Sequence, residues 1–174
     1  MRAQLLSQAE KERLSKSALV ATKLRKIDSF KKAKTVMFYY ALKEEIDTLE
    51  LILEALQKNK KVLLPYADKT SGSINPAEIK NLDRDLISGA YGIMEPKAEI
   101  RSPFSLNEID VVLVPGLAFD HAKYRLGRGK GYYDRFLAKL PRKVVTIGLA
   151  FNFQIVKALP VTELDVPVSQ VVHS

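Results

Sequence analysis

Apolar and polar residues follow one another along the chain in blocks that predict strands and helices in turn. Short apolar runs are typical of strands buried in a parallel sheet, whereas apolar residues three and four positions apart indicate one helix face. Strands are predicted at residues 34–40, 60–65, 110–115, 143–148 and, at a sheet edge, 168–172. Helices are predicted from residue 7 to about 26, after residue 47, around 82–87 and over 131–140.

Local signals predict where several of these elements begin and end. Ser7 and Glu10 have the spacing of a capping box, in which each side chain bonds the other residue's backbone N–H at a helix start. Asp47, followed by Glu50, offers a second helix cap. Pro65 is expected to end the second strand, because proline has no N–H to donate.

The alternation of the two kinds of element predicts the topology. Strand, helix and strand in succession favour right-handed βαβ units and a parallel sheet. The middle of the chain, residues 68–105, is richer in Gly, Pro, Ser and Asn and is expected to hold short strands, turns and one short helix. A chain of 174 residues fits one domain, so residues 1–174 are predicted to form a single α/β unit with a mostly parallel sheet.

Composition narrows the function classes without choosing one. The chain has no cysteine, which excludes disulfides, thiol catalysis and cysteine-ligated metals. It has no apolar run of about 18 residues, and its first residues are charged, so neither a membrane span nor a secretory signal is expected. A cytoplasmic protein is predicted. The net charge of +8 favours anionic partners, whether nucleic acid, nucleotides or small polyanions.

The segment RLGRGKGYYDRF, residues 125–136, has a composition found nowhere else in the chain. Its glycines permit positive φ and close approach of backbone N–H groups to an anion, and a helix is predicted to start just beyond them. Basic side chains can neutralise phosphate oxygens. Neither common phosphate motif fits, because Gly131 follows Lys130 where a Walker A loop has Ser or Thr, and the glycine spacing differs from the dinucleotide fingerprint.

Residue types alone leave alternatives open for this segment. It can be a flexible turn with basic residues, or a nucleic-acid surface in which tyrosines and basic groups alternate. Asp134, one turn into the predicted helix, suits Mg²⁺ beside a phosphate, but an aspartate in a first helical turn is also ordinary. Tyr132 and Tyr133 offer flat faces to a ring, although the spacing of Tyr132 and Phe136 also suits a core face.

With its flanks, the segment resembles the signature of the 5-formyltetrahydrofolate cyclo-ligases, also called methenyltetrahydrofolate synthetases. Residues 114–137 contain a proline-glycine pair after a strand, an aspartate, and then R-L-G-x-G-x-G-Y-Y-D. Three further segments match in order: residues 39–48 resemble a strand followed by E-[IV]-[DE]-T, residues 92–96 resemble G-I-x-E-P, and residues 164–168 resemble a closing D-x-P/K-V element. The resemblance extends from about Ser7 to the end of the chain.

The resemblance implies a three-layer αβα sandwich, Rossmann-like, and an ATP-dependent ring closure of 5-formyltetrahydrofolate that needs no protein nucleophile. Its ATP loop would comprise Arg125, Leu126, Gly127, Arg128, Gly129, Lys130, Gly131, Tyr132 and Tyr133. Within that loop Arg125, Lys130 and Tyr132 would be catalytic. The folate, which can carry a polyglutamate tail, would meet Tyr40, Glu45, Arg128, Gly129, Lys130, Gly131 and Tyr132. Mg²⁺ would be held by Asp134 and Asp165.

The same resemblance implies a monomer that uses ATP as co-substrate and binds no nucleic acid or membrane. The chain departs from the family pattern in two places. The family has a basic K-x-x-x-R segment near the start, of which only Arg2 is expected to correspond here. Lys123 stands two positions before the motif arginine, where the family often has glycine, and this could alter the turn that leads into the loop.

Overall fold

The computed structural model describes residues 1–68, 70, 72–89 and 92–174. Its helices are α1 (Arg2–Leu6), α2 (Glu10–Arg25), α3 (Asp28–Lys32), α4 (Leu49–Gln57), α5 (Leu82–Asp85) and α6 (Tyr132–Leu137). Its strands are β1 (Thr35–Met37), β2 (Lys61–Asp68), β3 (Ser73–Ile79), β4 (Leu86–Ser88), β5 (Met94–Pro96), β6 (Val111–Val114), β7 (Ala118–Asp120), β8 (Arg125–Leu126), β9 (Val145–Ala150), β10 (Ile155–Val156) and β11 (Gln170–His173). Positions 69, 71, 90 and 91 of the glycine-rich middle lie outside the described residues.

A six-stranded sheet in the order β11-β9-β6-β1-β2-β3 forms the centre of the fold. Every neighbouring pair in it is parallel except β2 and β3, which are antiparallel. The predicted α/β class with a mostly parallel sheet is therefore confirmed. β11 lies at one edge of the sheet, as the pattern at residues 168–172 predicted.

Apolar cores cover both faces of the sheet. Successive residues of a strand point to opposite faces, so Val111 and Leu113 of β6 belong to one core, and Val112 and Val114 belong to the other. The first core also contains buried side chains of α1, α2, α3 and α4. The second core contains Phe136 of α6, which packs against β3. Helices on both faces give the three layers that the resemblance implied.

The predicted capping box at the first helix was wrong. Ser7 ends α1, and its hydroxyl donates backward to the carbonyl of Gln4. α2 then starts at Glu10, after Ala9, with no side-chain cap. The capping box fails because a short helix already precedes Ser7, where Leu5 packs into the first core. Sequence spacing cannot show which way a serine hydroxyl turns.

The second predicted strand end was also wrong, because β2 continues through Pro65 to Asp68. Pro65 lies opposite Pro76 of β3 in the antiparallel ladder. Two opposed prolines fit a ladder position at which backbone N–H groups point away from the partner strand, so no hydrogen bond is lost between them. β1, by contrast, is shorter than predicted and ends at Met37.

Other boundaries moved by a few residues. The N-terminal flank of α4 is Thr48 rather than Asp47, although a carboxylate oxygen of Asp47 accepts the N–H of Leu49. α6 covers only six residues, because its last N–H groups bond three residues back and Pro141 follows. The segment predicted as a helix around 82–87 is α5 followed by β4, which pairs with β5. β9 lies two residues later than predicted.

No element was predicted between residues 115 and 131, but β7 and β8 lie there and form a small sheet with β10. β7 and β8 form a hairpin in which Phe119 pairs with Arg125. The motif therefore begins inside a strand, and its residues 127–131 form the loop before α6. Among the described residues, no helix is both long enough and apolar enough to span a bilayer.

Candidate active site

The strand order of the central sheet reverses between β1 and β6. From β1 the chain proceeds to β2 on one side, and it later returns to β6 on the other. Ligands of open α/β sheets bind at such a switch point, beyond the carboxyl ends of the strands. A narrow cleft with an empty volume of about 160 Å³ lies there, lined by Tyr39, Glu45, Ile46, Pro115, Gly116, Leu149 and Gln154.

A larger cleft, with an empty volume of about 870 Å³, lies at the opposite, amino edge of β1 and β2 and is bordered by residues 33–35 and 58–61. Three of its four lysines are already engaged. Lys58 pairs with Glu54, Lys60 donates to two backbone carbonyls, and Lys61 pairs with Glu108. This cleft is therefore a surface depression between ion pairs, and the switch point is the better candidate for chemistry.

The β7–β8 hairpin carries the glycine-rich loop to the switch point. Asp120, buried at the end of β7, accepts the N–H groups of Tyr124 and Leu159 and so fixes the turn. Lys123 has a φ of 70°, in the left-handed region that favours glycine. The family pattern, which often has glycine at this position, therefore agrees with the backbone, and here lysine adopts the same left-handed turn.

Arg125 lies beneath the loop with only 4% of its side chain exposed. One terminal nitrogen, Nη2, donates to Oδ1 of Asp134 at 2.8 Å, and the guanidinium lies over the ring of Tyr133. Its Nε is buried and has no hydrogen-bond partner among the described residues. Gly127 leaves no room for a side chain, since a Cβ there would lie 2.9 Å from Nη1. The structure thus brings Arg125, Tyr133 and Asp134 together around a buried charge.

Arg128 joins the glycine-rich loop to the segment after β1, across the switch point. Its Nη2 donates to Oε1 of Glu44 at 2.9 Å and to Oε1 of Glu45 at 3.1 Å. Glu45 also accepts the N–H of Leu42. Burial raises the pKa of Glu45, while the Leu42 N–H and the Arg128 cation act in the opposite direction. Two residues that the resemblance assigns to the folate site, Arg128 and Glu45, are therefore in direct contact.

Two of the three loop glycines adopt the positive φ that the sequence suggested. Gly129 has a φ of 95° and Gly131 a φ of 63°, and no atom would obstruct a Cβ at Gly129. Gly131 is the flanking residue at the start of α6. The carbonyl of Lys130, between them, accepts a hydrogen bond from Arg135. Leu126, which precedes the glycines, pairs with Ala118 in the hairpin.

The three tyrosines assigned to the site are each half-buried but have different neighbours. Burial and the nearby Glu45 raise the pKa of Tyr133, so its hydroxyl stays protonated. Tyr132 is half-buried, with the guanidinium of Arg135 over its ring. Tyr40 is half-buried in the segment after β1 and packs against the first core. The neighbouring Tyr39 donates its hydroxyl to Ile46, which holds this segment closed on itself.

The two predicted metal ligands are differently placed. Asp134 has one oxygen on Arg125, and its other oxygen accepts no hydrogen bond from the described residues. The carboxylate of Asp165 accepts the N–H and the hydroxyl of Thr162 within its own loop. No three His, Asp or Glu side chains of the described residues form a metal cluster. The open oxygen of Asp134 is compatible with a Mg²⁺ that takes most ligands from phosphates and water, and the metal roles of Asp134 and Asp165 both stay predictions.

Sequence reasoning missed three residues that shape this site. Glu44 shares Arg128 with Glu45, but the family motif starts at Glu45, and nothing in the sequence indicates that Glu44 also contacts Arg128. Gln154 is buried and donates to the carbonyls of Gly116 and Leu117, so it fixes the turn after β6. Arg135 follows Asp134 directly, yet its contacts lie 63 residues away in sequence, at Gly72.

Comparisons with known proteins agree with this geometry. The model of the 5-formyltetrahydrofolate cyclo-ligase family matches residues 1–174. The chain is 34% identical to the 5-formyltetrahydrofolate cyclo-ligase of Escherichia coli over 80% of this chain and 78% of that protein. It is 34% identical to that of Haemophilus influenzae over 79% and 74%. The NMR structure of Aquifex aeolicus 5,10-methenyltetrahydrofolate synthetase, 35% identical, superposes with a TM-score of 0.82 over 98% of this chain and 84% of that one.

The match covers the whole length of the chain, and the fold and the ordered motifs agree with it. The protein therefore belongs to the 5-formyltetrahydrofolate cyclo-ligase family.

Proposed function

We propose that the protein converts 5-formyltetrahydrofolate to 5,10-methenyltetrahydrofolate and uses ATP and Mg²⁺, with release of ADP and phosphate. One observation carries the proposal: Arg128 of the glycine-rich loop reaches Glu45 across the switch point, at 3.1 Å. In the proposed assignment the loop serves ATP and Glu45 serves the pterin ring. Their contact means that the two substrates would meet where the formyl group must receive a phosphoryl group.

The proposed chemistry needs positioning and charge neutralisation rather than a protein nucleophile. The formyl oxygen attacks the γ-phosphorus of ATP, and the bond to the bridging oxygen breaks as ADP leaves. The neighbouring folate nitrogen then attacks the formyl carbon and loses its proton. Phosphate departs with the former formyl oxygen as the new carbon–nitrogen ring bond forms. Mg²⁺, when bound, would neutralise charge on the phosphate oxygens.

The proposal assigns a separate role to each group of residues. Arg125, Arg128 and Lys130 neutralise phosphate charge, and Gly127, Gly129 and Gly131 let the backbone approach. The ring of Tyr132 borders the transferred group. Glu45 accepts N–H bonds from the pterin, which a carboxylate does with paired oxygens. Asp134 offers its open oxygen to Mg²⁺.

The cleft must widen for this reaction. It has no room for a water-sized sphere in this structure, whereas ligand sites usually have a volume of several hundred Å³. Glu45 lines the cleft and is paired with Arg128, so binding of the pterin to Glu45 would release Arg128 toward the phosphates. We expect folate binding to break the Arg128–Glu45 contact.

The same ion pairs argue against nucleic acid as the partner. Arg125 is buried against Asp134, and Arg128 is paired with two glutamates. Neither arginine therefore lies on an open basic groove of the kind that follows a nucleic-acid backbone. The +8 charge suits ATP and the glutamate tail of a folate, polyglutamylated forms included. We further propose that the protein acts as a cytoplasmic monomer.

The test mixes the protein, ATP, Mg²⁺ and 5-formyltetrahydrofolate and follows the absorbance of the methenyl product. Product formation that requires both ATP and the folate is expected. Arg142→Ala, a change of an exposed arginine outside the site, serves as the control for protein handling. Absence of product above background at high protein concentration would overturn the proposal. Calorimetric binding of both substrates without turnover would instead assign a binding protein.

A further inference from the structure

Arg135 connects two turns that are far apart in the sequence. It lies in α6, directly after Asp134. Its Nε donates to the carbonyl of Gly72 at 2.7 Å, and its Nη2 donates to the same carbonyl. Nη2 also donates to the carbonyl of Lys130, at 2.7 Å. Gly72 lies in the turn that leads into β3, so one guanidinium ties this turn to the glycine-rich loop.

Both turns have a glycine where the guanidinium passes. Gly72 has a φ of 62° and Gly131 a φ of 63°, conformations that other residues rarely adopt. A Cβ at Gly72 would lie 3.2 Å from Nη2, and one at Gly131 would lie 2.9 Å from Nη1. The guanidinium therefore fills the space that the two glycines leave. It also covers the ring of Tyr132, with 5.6 Å between the guanidinium carbon and the ring centroid.

A loop with three glycines loses much conformational entropy when it becomes ordered around a ligand. Hydrogen bonds that order the loop before the ligand arrives reduce the entropy that binding must then cost. Arginine suits this role because its planar guanidinium offers several N–H donors at fixed angles. Lysine offers a single point charge and cannot bridge the two carbonyls with the same geometry.

We propose that Arg135 is a positioning residue that holds the backbone of Lys130 and Gly131 in the shape that the nucleotide phosphates meet. The proposal rests on the proposed function for the identity of the ligand. It assigns Arg135 to nucleotide affinity, whereas the residues that touch the reacting groups determine the rate of the chemical step. None of the contacts of Arg135 involves a group assigned to the folate alone.

The first experiment compares Arg135→Ala, Arg135→Lys and Arg142→Ala by steady-state kinetics and thermal unfolding. Arg142 is an exposed arginine just beyond α6 that makes no hydrogen bond or ion pair with the described residues. Arg135→Ala is expected to raise the KM for ATP about tenfold and to change kcat and the KM for folate less than about threefold. Arg135→Lys is expected to lie between Arg135→Ala and the unchanged protein, and Arg142→Ala is expected to match the unchanged protein. An unchanged KM for ATP in a folded Arg135→Ala protein would overturn the proposal.

The second experiment changes Gly72, whose carbonyl accepts the hydrogen bonds of Arg135. Gly72→Ala places a methyl group against the guanidinium, so it should also raise the KM for ATP, and the double variant should show less than the product of the two effects. Multiplicative effects would mean that the two residues act separately, against the proposal. The double variant also controls for strain at Gly72, because strain alone would persist in the absence of Arg135.

A readout without turnover separates this proposal from the proposed function. Hydrogen exchange at the amide of residue 135, which donates to the carbonyl of Gly131, is expected to be faster, relative to the intrinsic rate of each sequence, in Arg135→Ala than in the unchanged protein and in Arg142→Ala. If the unchanged protein forms no methenyl product but exchange accelerates in this way, the positioning role of Arg135 is supported and the enzymatic proposal fails. If product forms but neither exchange nor the KM for ATP changes in Arg135→Ala, the positioning role of Arg135 is wrong.

Discussion

Two arginine–aspartate pairs of this protein have nearly equal lengths and opposite surroundings. Arg84 and Asp85 are 2.7 Å apart, and Arg125 and Asp134 are 2.8 Å apart. In the first pair the aspartate is buried and the arginine is 69% exposed. In the second pair the arginine is buried, with 4% exposed, and the aspartate is the more open partner.

The two pairs also differ in how completely their polar atoms are bonded. The carboxylate of Asp85 accepts the N–H groups of Lys80 and Asn81 in addition to Arg84, and so completes a local turn. Arg125 instead buries an Nε without a partner, and Asp134 keeps an oxygen without a hydrogen bond from the described residues. A satisfied buried network stabilises a fold, whereas an unsatisfied one needs another explanation, such as a ligand.

Asp134→Asn should have the largest effect on the reaction. The amide keeps an acceptor for Arg125 but loses the charge that Mg²⁺ requires, so kcat is expected to fall by about 100-fold, which corresponds to ~2.7 kcal/mol of transition-state stabilisation. The Mg²⁺ concentration for half-maximal rate should rise in the same titration. A normal rate with a normal Mg²⁺ dependence would remove Asp134 from the metal site.

Asp85→Asn should reverse this pattern, with a large effect on stability and little on the reaction. The free energy of unfolding is expected to fall by about 2 kcal/mol at neutral pH, because buried hydrogen bonds to a charge are lost. Denaturant unfolding measures this loss, and kcat per folded molecule should remain within about twofold of normal. A comparable loss of kcat would contradict the assignment of the pair to structure.

The pH dependence of the stability of Asp85→Asn tests whether the charge of Asp85 causes this loss. The hydrogen bond from Arg84, followed by the N–H groups of Lys80 and Asn81, lowers the pKa of Asp85 from 3.8 to about 2, against the effect of burial. A lowered pKa means that the ionised carboxylate stabilises the folded state above pH 3.8 and that this contribution disappears as the pH falls toward about 2. The difference between the unchanged protein and Asp85→Asn should therefore shrink over that range.

Glu45→Gln should have an intermediate effect, limited to one substrate. Loss of the carboxylate removes the proposed pterin contact, so the KM for folate is expected to rise about tenfold while the KM for ATP changes little. Glu44→Gln is the matched control, since Glu44 shares Arg128 but is not assigned to the pterin. A defect for ATP alone in Glu45→Gln would contradict the assignment.

Lys123→Gly should have the smallest effect and should be favourable. Glycine removes the cost of a left-handed backbone at φ 70°, so the free energy of unfolding is expected to rise by about 0.5–1 kcal/mol. Asn59→Gly is the control, because asparagine tolerates its φ of 56° better than lysine does and should gain less. Thermal unfolding of both variants measures the difference, and a destabilised Lys123→Gly protein would contradict it.

Much of the fold could be predicted from local patterns. The apolar run at Val111–Val114 and the edge strand at the end of the chain lie where the pattern placed them, within two residues. Capping and termination were less predictable. The Ser7 hydroxyl donates to the carbonyl of Gln4 and caps no following helix. Pro65 fits inside β2 because another proline lies opposite it in β3. Both outcomes depend on neighbours that the local pattern does not contain.

The sequence by itself determined the parallel sheet and the glycine-rich loop, because these depend on side-chain periodicity and on backbone freedom along a short stretch. It did not determine the turn at Lys123, whose left-handed backbone is a finding of the structure. Only the tertiary structure decided which charges meet. Arg128 lies 83 residues from Glu45, and Arg135 lies 63 residues from Gly72, and each pair forms where the sheet order brings distant loops together. An ion pair needs a distance of a few ångströms, and no local pattern specifies that distance between remote segments.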